Sequence, residues 1–189
     1  MSISTSLGAY VGYGGQLTII RGGDDIANFV TVNSPSLWKF GEEIRLKQAF
    51  NDTIYNVTEN GIEPHEVIGL EKWHWAEEDA FFTARCNDKI SIDYILECND
   101  YLYFHLRTGL YNKNNSKVFC GFYDKKSKQT SLMAGDIVKD MKNNQELPIR
   151  GNTPDGGLCA LIQPDKLSNE NLERLNINEE DNPVVVILN

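Results

Sequence analysis

Two clusters in this chain carry side chains able to bind a ligand. Trp73-His74-Trp75, followed by Glu77, Glu78 and Asp79, offers aromatic rings beside carboxylates, the kind of surface that stacks on a sugar ring or an apolar ligand. Packing of those rings between sheets explains the pattern as well and is favoured, because Trp73 and Trp75 are two apart and would share a strand face. Tyr103, His105 and Arg107, with Tyr101, form a polar-aromatic face opposite Leu102, Phe104 and Leu106 and could line a ligand groove. A solvated or intersheet face is the favoured alternative. The candidate ligand-binding residues are therefore Trp73, His74, Trp75, Tyr103, His105 and Arg107.

Signals for catalysis are sparse. Asp52, Asp93, Asp100 and Asp124 fall in or beside turns, where aspartate caps its own backbone, so general acid or base duty is a minority reading. Nucleophile elbows, phosphate-binding loops and paired nucleophile-base spacings are absent from the sequence. Cys86, Cys98, Cys120 and Cys159 lack the close pairing of structural zinc ligands, and Cys86, Cys98 and Cys120 sit in apolar alternations that suit buried small hydrophobes. Asp136 and Asp140 are four apart but lack the dense oxygen pattern of a calcium loop. No catalytic residue, metal or cofactor is expected.

The elements that must position these groups read as strands. Glu43 to Ala49, Thr53 to Thr58 and Ile90 to Arg107 alternate apolar and polar residues and are separated by turn residues. In the first, Ile44 and Leu46 are expected to face the core, with Arg45 and Lys47 on the solvent side. Leu17 to Ile20 and Phe29 to Asn33 predict two short strands joined by a turn at Arg21 to Asp25, and Glu66 to Leu70 another strand after a turn at Glu59-Asn60-Gly61. The clearest hairpin turns at Asn99-Asp100. It continues through Val118, Cys120 and Phe122, a charged loop at Tyr123 to Lys128, and Gln129 to Met133, giving a four-stranded meander from Ile90 to Met133. A loop through Asn143, Asn144, Pro148 and Gly151 leads to a strand at Leu158 to Ile162. One short helix is expected, capped by Ser168 and bearing Leu167, Asn171, Leu172 and Leu175 on one face. Val184 to Leu188 reads as a strand buried on both faces.

The whole has 189 residues, 41% of them hydrophobic, enough for one domain with a sizeable core. A net charge of -9 and the lack of a Lys/Arg cluster argue against a nucleic-acid partner. No apolar run approaches the roughly 20 residues of a membrane span, and Met1 to Ile20 does not read as a signal peptide.

Several motifs give a resemblance. Phe50-Asn51-Asp52-Thr53-Ile54-Tyr55 with Val57, then Ile62-Glu63-Pro64 and Ile68-Gly69-Leu70, resembles a blade of the six-bladed β-propeller lipoproteins of Bacteroides and relatives. Tyr123-Asp124-Lys125-Lys126 is similar to that family's hairpin, Pro154-Asp155-Gly156-Gly157 to its turn with one Asp missing, and Glu179 to Val185 to its closing strand. The match runs from Leu37 to Leu188, and residues 1–36 fit only loosely as another blade.

The resemblance implies an all-β fold, a β-propeller-like array of antiparallel four-stranded blades in an incomplete ring, within one domain over residues 1–189. At about 40 to 50 residues per blade the chain supplies about four, so the expectation is a C-terminal portion of a longer family member or a homodimer joined through open blade edges. It further implies the periplasm or outer-membrane surface, and a non-catalytic binding or scaffold module taking a glycan, peptide or protein. The alternative is a glycoside-cleaving propeller with paired carboxylates.

Overall fold

The computed structural model describes residues 8–11, 16–21, 28–33, 36–76, 79, 86, 88–109, 114–140 and 144–188. Its strands, numbered in chain order, begin with β1 (Gly8–Val11), β2 (Gln16–Arg21) and β3 (Asn28–Asn33), which pair in the order β1-β2-β3. The turn expected at Arg21 to Asp25 lies mostly outside the described residues. Next come β4 (Ser36–Phe40), β5 (Glu43–Lys47), β6 (Thr53–Thr58) and β7 (Gly61–Val67), a four-stranded meander. A second follows from β8 (Ile90–Glu97), β9 (Tyr101–Thr108), β10 (Lys117–Asp124) and β11 (Thr130–Ala134), in the order β11-β10-β9-β8. The chain then forms a ladder of β12 (Val138–Lys139) with β13 (Glu146–Leu147), and a three-stranded sheet of β14 (Ile149–Asn152), β15 (Leu158–Ile162) and β16 (Val184–Leu188). Helix α1 (Asn169–Leu175) lies between the last two strands in sequence. Among the described residues the fold is thus mostly β, built from antiparallel sheets with one short α-helix, and none of these sheets closes on itself.

By contact the chain divides into two compact units. One comprises Met1–Trp38, Glu43–Ile95 and Leu106–Lys117; the other comprises Lys39–Glu42, Leu96–His105 and Val118–Asn189. In the first unit the polarity of β5 is the reverse of the expected one. Arg45 and Lys47 are buried at 2% and 6% exposure, whereas Ile44 is 42% exposed. The neighbouring strand decides this. Lys47 pairs in register with Ile54, which is 1% exposed, and Arg45 with Asn56, so both cations lie on the face that Ile54 commits to the core. Alternation within one strand fixes two faces without saying which is inner. Arg45 is satisfied by the carboxylate of Glu43 at 2.6 Å and by the side chain of Asn56. β7 begins earlier than expected and carries Pro64, which an edge strand tolerates because a missing N–H there costs no ladder bond.

In the second unit, loops converge on the buried carboxylate of Glu97, at the end of β8. Lys125 Nζ donates to Glu97 Oε1 at 2.8 Å and to the Cys98 carbonyl at 2.7 Å, and lies 4.4 Å from the centre of the Phe40 ring. Asn152 donates to the carbonyls of Lys39 and Glu97 at 2.7 and 3.2 Å. The Asn99 amide donates to Asp155 O at 2.9 Å while the Asn99 backbone N–H donates to Gly156 O at 3.0 Å. Gly156 has φ +86°, and a Cβ there would fall 2.2 Å from Asn99 Oδ1, so this turn requires glycine.

The short strands β12 to β14 replace the loop expected through Asn144, Pro148 and Gly151. They are anchored singly by Val138, Leu147 and Ile149, too few to register as a period. Leu147, Ala160 and Ile162 form a small core that Val138, Leu167, Val186 and Leu188 cover. β16 is an edge strand, not a doubly buried one: Val185 and Ile187 are 61% and 55% exposed, and an unbroken apolar run cannot distinguish the two cases. Helix α1 is as expected, with Ser168 Oγ accepting from the Asn171 N–H at 3.3 Å and Asn176 closing it at φ 52°. No helix among the described residues is long and apolar enough to cross a membrane.

β10 meets its neighbours at Gly121, where a Cβ would lie 2.6 Å from Ser131 O and 2.9 Å from Phe104 Cζ. Gly121→Ala is expected to destabilise the chain by about 1 to 3 kcal/mol through this overpacking, read as a lower urea midpoint at unchanged slope. An unchanged midpoint would show that the approach is not tight.

Candidate functional site

The first unit holds a small pocket where β5 ends. Phe50 adopts φ 57° in the loop after Lys47, and Asn51 then shapes the turn. Its Oδ1 accepts from the Thr53 N–H and its Nδ2 donates to the Tyr55 hydroxyl, both at 2.8 Å. This delivers Asp52, whose backbone carbonyl accepts from Ile68 N–H at 2.8 Å and whose Oδ1 lies 2.7 Å from His74 Nδ1. His74 in turn bridges to Ile90 at the start of β8. Trp75, 6% exposed, meets the Phe50 ring edge to face at 4.7 Å. Beyond it, Ser91 Oγ donates to Asp93 at 2.6 Å and Arg107 pairs with Asp93 at 3.1 Å. Lys47, Phe50, Asp52, Leu70, Trp75 and Ser91 line a pocket of about 20 Å³, room for one or two water molecules.

Lys47 dominates its electrostatics. Among the described residues its one hydrogen bond is to the Gln48 carbonyl at 3.1 Å, so an ammonium with three donors has a single protein acceptor. Burial pushes its pKa down to about 8, against the partial restoring pull of Asp52 and Asp93. Asp52 meets the His74 ring at 2.7 Å, and Asp93 pairs with the Arg107 guanidinium at 3.1 Å. Burial also pushes the thiols of Cys86, Cys98 and Cys120 up, which keeps them protonated and unreactive. Among the described residues no three of His, Cys, Asp and Glu gather as a metal site would require.

The residues singled out from sequence take different places. Trp73 closes a 3₁₀ turn, Glu71 to Trp73, instead of sharing a strand face with Trp75. It is 45% exposed, with Lys72 Nζ 4.9 Å from its ring centre. Trp75 lines the pocket, and His74 flanks it through Asp52. Arg107 reaches it indirectly, through Asp93. Tyr103 and His105 belong to the other unit; Tyr103 is fully buried, its hydroxyl meets His105 Nε2, and its ring packs 5.2 Å from Phe122. Glu77 and Glu78 lie outside the described residues. Lys47, assigned to solvent by alternation, and Asp52 and Asp93, assigned to turns, are the site residues that sequence reasoning missed. The signal that finds Lys47 is its cross-strand partner Ile54.

Lys47 has a folded pKa below its unfolded value of 10.5, so between about pH 8 and 10.5 the unfolded chain holds more protons and stability rises with pH. Below pH 8 both states are charged and the cost of burial is complete, on the order of 3 kcal/mol. Lys47→Met is therefore expected to be more stable than the parent at pH 7, with the advantage shrinking toward pH 10 in urea titrations. A difference independent of pH would refute the account.

Comparison with known proteins adds three findings. No curated protein sequence matches the chain. A crystal structure of a Bacteroides fragilis protein, described provisionally as exported, superposes with a TM-score of 0.51 at 14% identity. That likeness covers 98% of this chain and 65% of the neighbour, and at such low identity it speaks for the fold alone. The match with a family model runs over residues 12–189, taking in all strands from β2 to β16 and with them both the pocket and the Glu97 junction. The chain therefore belongs to the family described as a domain of unknown function, DUF4934.

Proposed function

We propose that this chain is a non-catalytic binding or scaffold module of β-propeller type, acting in the bacterial envelope. Its two complete meanders, β4 to β7 and β8 to β11, are consecutive antiparallel four-stranded sheets of the kind that repeat as propeller blades. The sequence resemblance to propeller lipoproteins and the neighbour described as exported support the blade arrangement and the envelope location. The observation that carries the binding role is the exposed ring of Trp73, 45% accessible to solvent. The pocket beside Lys47, at about 20 Å³, admits a single small group and not a sugar ring or a peptide.

Asp52 and Asp93 do not favour the glycoside-cleaving alternative. A glycosidase keeps one acid and one base or nucleophile on either side of a substrate bond, whereas these two carboxylates are occupied by His74 and Arg107 beside a space too small for that bond. Exposed Trp73 supplies the flat apolar face that a glycan or peptide would stack on.

A glycan and peptide array probed with the parent chain and Trp73→Ala tests this reading. Retention of a ligand class by the parent, weakened about tenfold in the variant, with no reducing ends released from bound sugars, is the expected result. Release of reducing ends would overturn the non-catalytic assignment, and equal retention by both proteins would remove Trp73 from the surface.

A further inference from the structure

Every residue of β16, Val184 to Leu188, is apolar, the composition of a strand in the interior of a sheet. Its place is an edge: among the described residues it pairs with β15 on one side and with no strand on the other. Register with β15 is regular through all five pairs, from Ile162 with Val184 to Leu158 with Leu188, so the free edge is unbroken. Neither face is fully covered. Val186 and Leu188 are only partly buried against the core of Leu147, Ala160 and Ile162. On the opposite face Val185 and Ile187 are 61% and 55% exposed, beside Leu161 at 43%. The other edge of this sheet is blunted, because β14 carries Arg150 and a register shift between Ile149 and Gly151. An edge without charge, proline or bulge is a template for one more strand.

We infer that the free edge of β16 is a docking site for an extended apolar peptide segment of another protein, added antiparallel as a fourth strand and ending in Lys or Arg. Main-chain hydrogen bonds supply the attachment, and alternate peptide side chains extend the two apolar faces, one set beside Val184, Val186 and Leu188 and the other beside Val185 and Ile187. Charge sets the ending. Antiparallel addition brings the peptide's C-terminal end to the start of β16, just after the exposed run Glu179-Glu180-Asp181. Asp181 accepts from the Asn178 N–H at 2.7 Å, whereas Glu179 and Glu180 have no ion pair among the described residues. A second copy of this chain is the poorer occupant. It brings the same net charge of -9, and five paired residues a side fall short of the roughly 20 to 30 per partner in a stable interface. The edge belongs to the other unit from Trp73, so this peptide site goes beyond the Trp73 surface and does not rest on it.

The probe is a fluorescein-labelled peptide, Ser-Val-Ile-Val-Thr-Val-Lys-Lys-amide, titrated with the parent chain and followed by anisotropy. Beside it run a version ending in Glu-Glu and two versions N-methylated at alternate residues, one in each phase. Saturable binding is expected, lost in one N-methylated version and kept in the other, because only every second N–H of a strand faces its neighbour. Val185→Lys and Ile187→Lys, at exposed positions and checked by an unchanged urea midpoint, are each expected to weaken binding about tenfold. Glu179→Lys combined with Glu180→Lys should reverse the preference toward the Glu-Glu peptide. The inference is overturned by the absence of saturable binding at millimolar peptide, by equal binding of both N-methylated versions, or by indifference to Val185→Lys and Ile187→Lys. Dimerisation of the parent chain without peptide, abolished by Val185→Lys in light scattering, would also overturn it by giving the edge to a second copy. Trp73→Ala should leave this binding unchanged, which separates its outcome from that of the array.

Discussion

A buried carboxylate organises the second unit. Glu97 is 4% exposed at the end of β8, where an unpaired negative charge would be costly, so its surroundings are arranged to satisfy it. Lys125 supplies the counter-charge from the β10–β11 loop, and the same ammonium binds the Cys98 carbonyl beside Phe40. Asn152 and Asn99 then tie in β14 and the turn at Gly156 through backbone acceptors. Hydrophobic burial drives collapse of the sheets, but it is directionless, whereas this set of bonds specifies which turns meet.

The motifs behind the family resemblance gain a physical meaning from that arrangement. Lys125 of Tyr123-Asp124-Lys125-Lys126 is the partner of Glu97, and Asp124 accepts from the backbone N–H groups of Lys126 and Ser127, both at 2.8 Å. Gly156 of Pro154-Asp155-Gly156-Gly157 takes the left-handed conformation against Asn99. In Phe50-Asn51-Asp52, Asn51 shapes the turn and Asp52 holds His74. These signature residues are turn and junction chemistry. Their recurrence in a sequence marks a fold, and the chemistry of a ligand site has to be sought elsewhere.

Much of the architecture was legible from periodicity. β6, β15, β16 and the capped helix α1 lie where alternation and the Ser168 cap predict them, and the β8 to β11 meander follows from its turns. What escaped was information carried between strands. Which face of β5 is buried depends on Ile54 of β6, and whether β16 is an edge depends on the number of strands beside it. For the same reason Lys47 read as a solvated cation and the Lys47 pocket was invisible, while Trp73 and Trp75 were joined by a strand spacing that the 3₁₀ turn does not have. Only His74 and Trp75 of the sequence candidates line or directly flank the pocket.

The claim that a paired charge holds the turns of the second unit together is tested most directly by a double-mutant cycle on Glu97→Gln and Lys125→Met, with unfolding free energies measured in urea. The account predicts single losses of about 3 kcal/mol or more and a double mutant less damaged than their sum, because removing both charges leaves neither one buried alone. Small, additive losses below about 0.5 kcal/mol would contradict it.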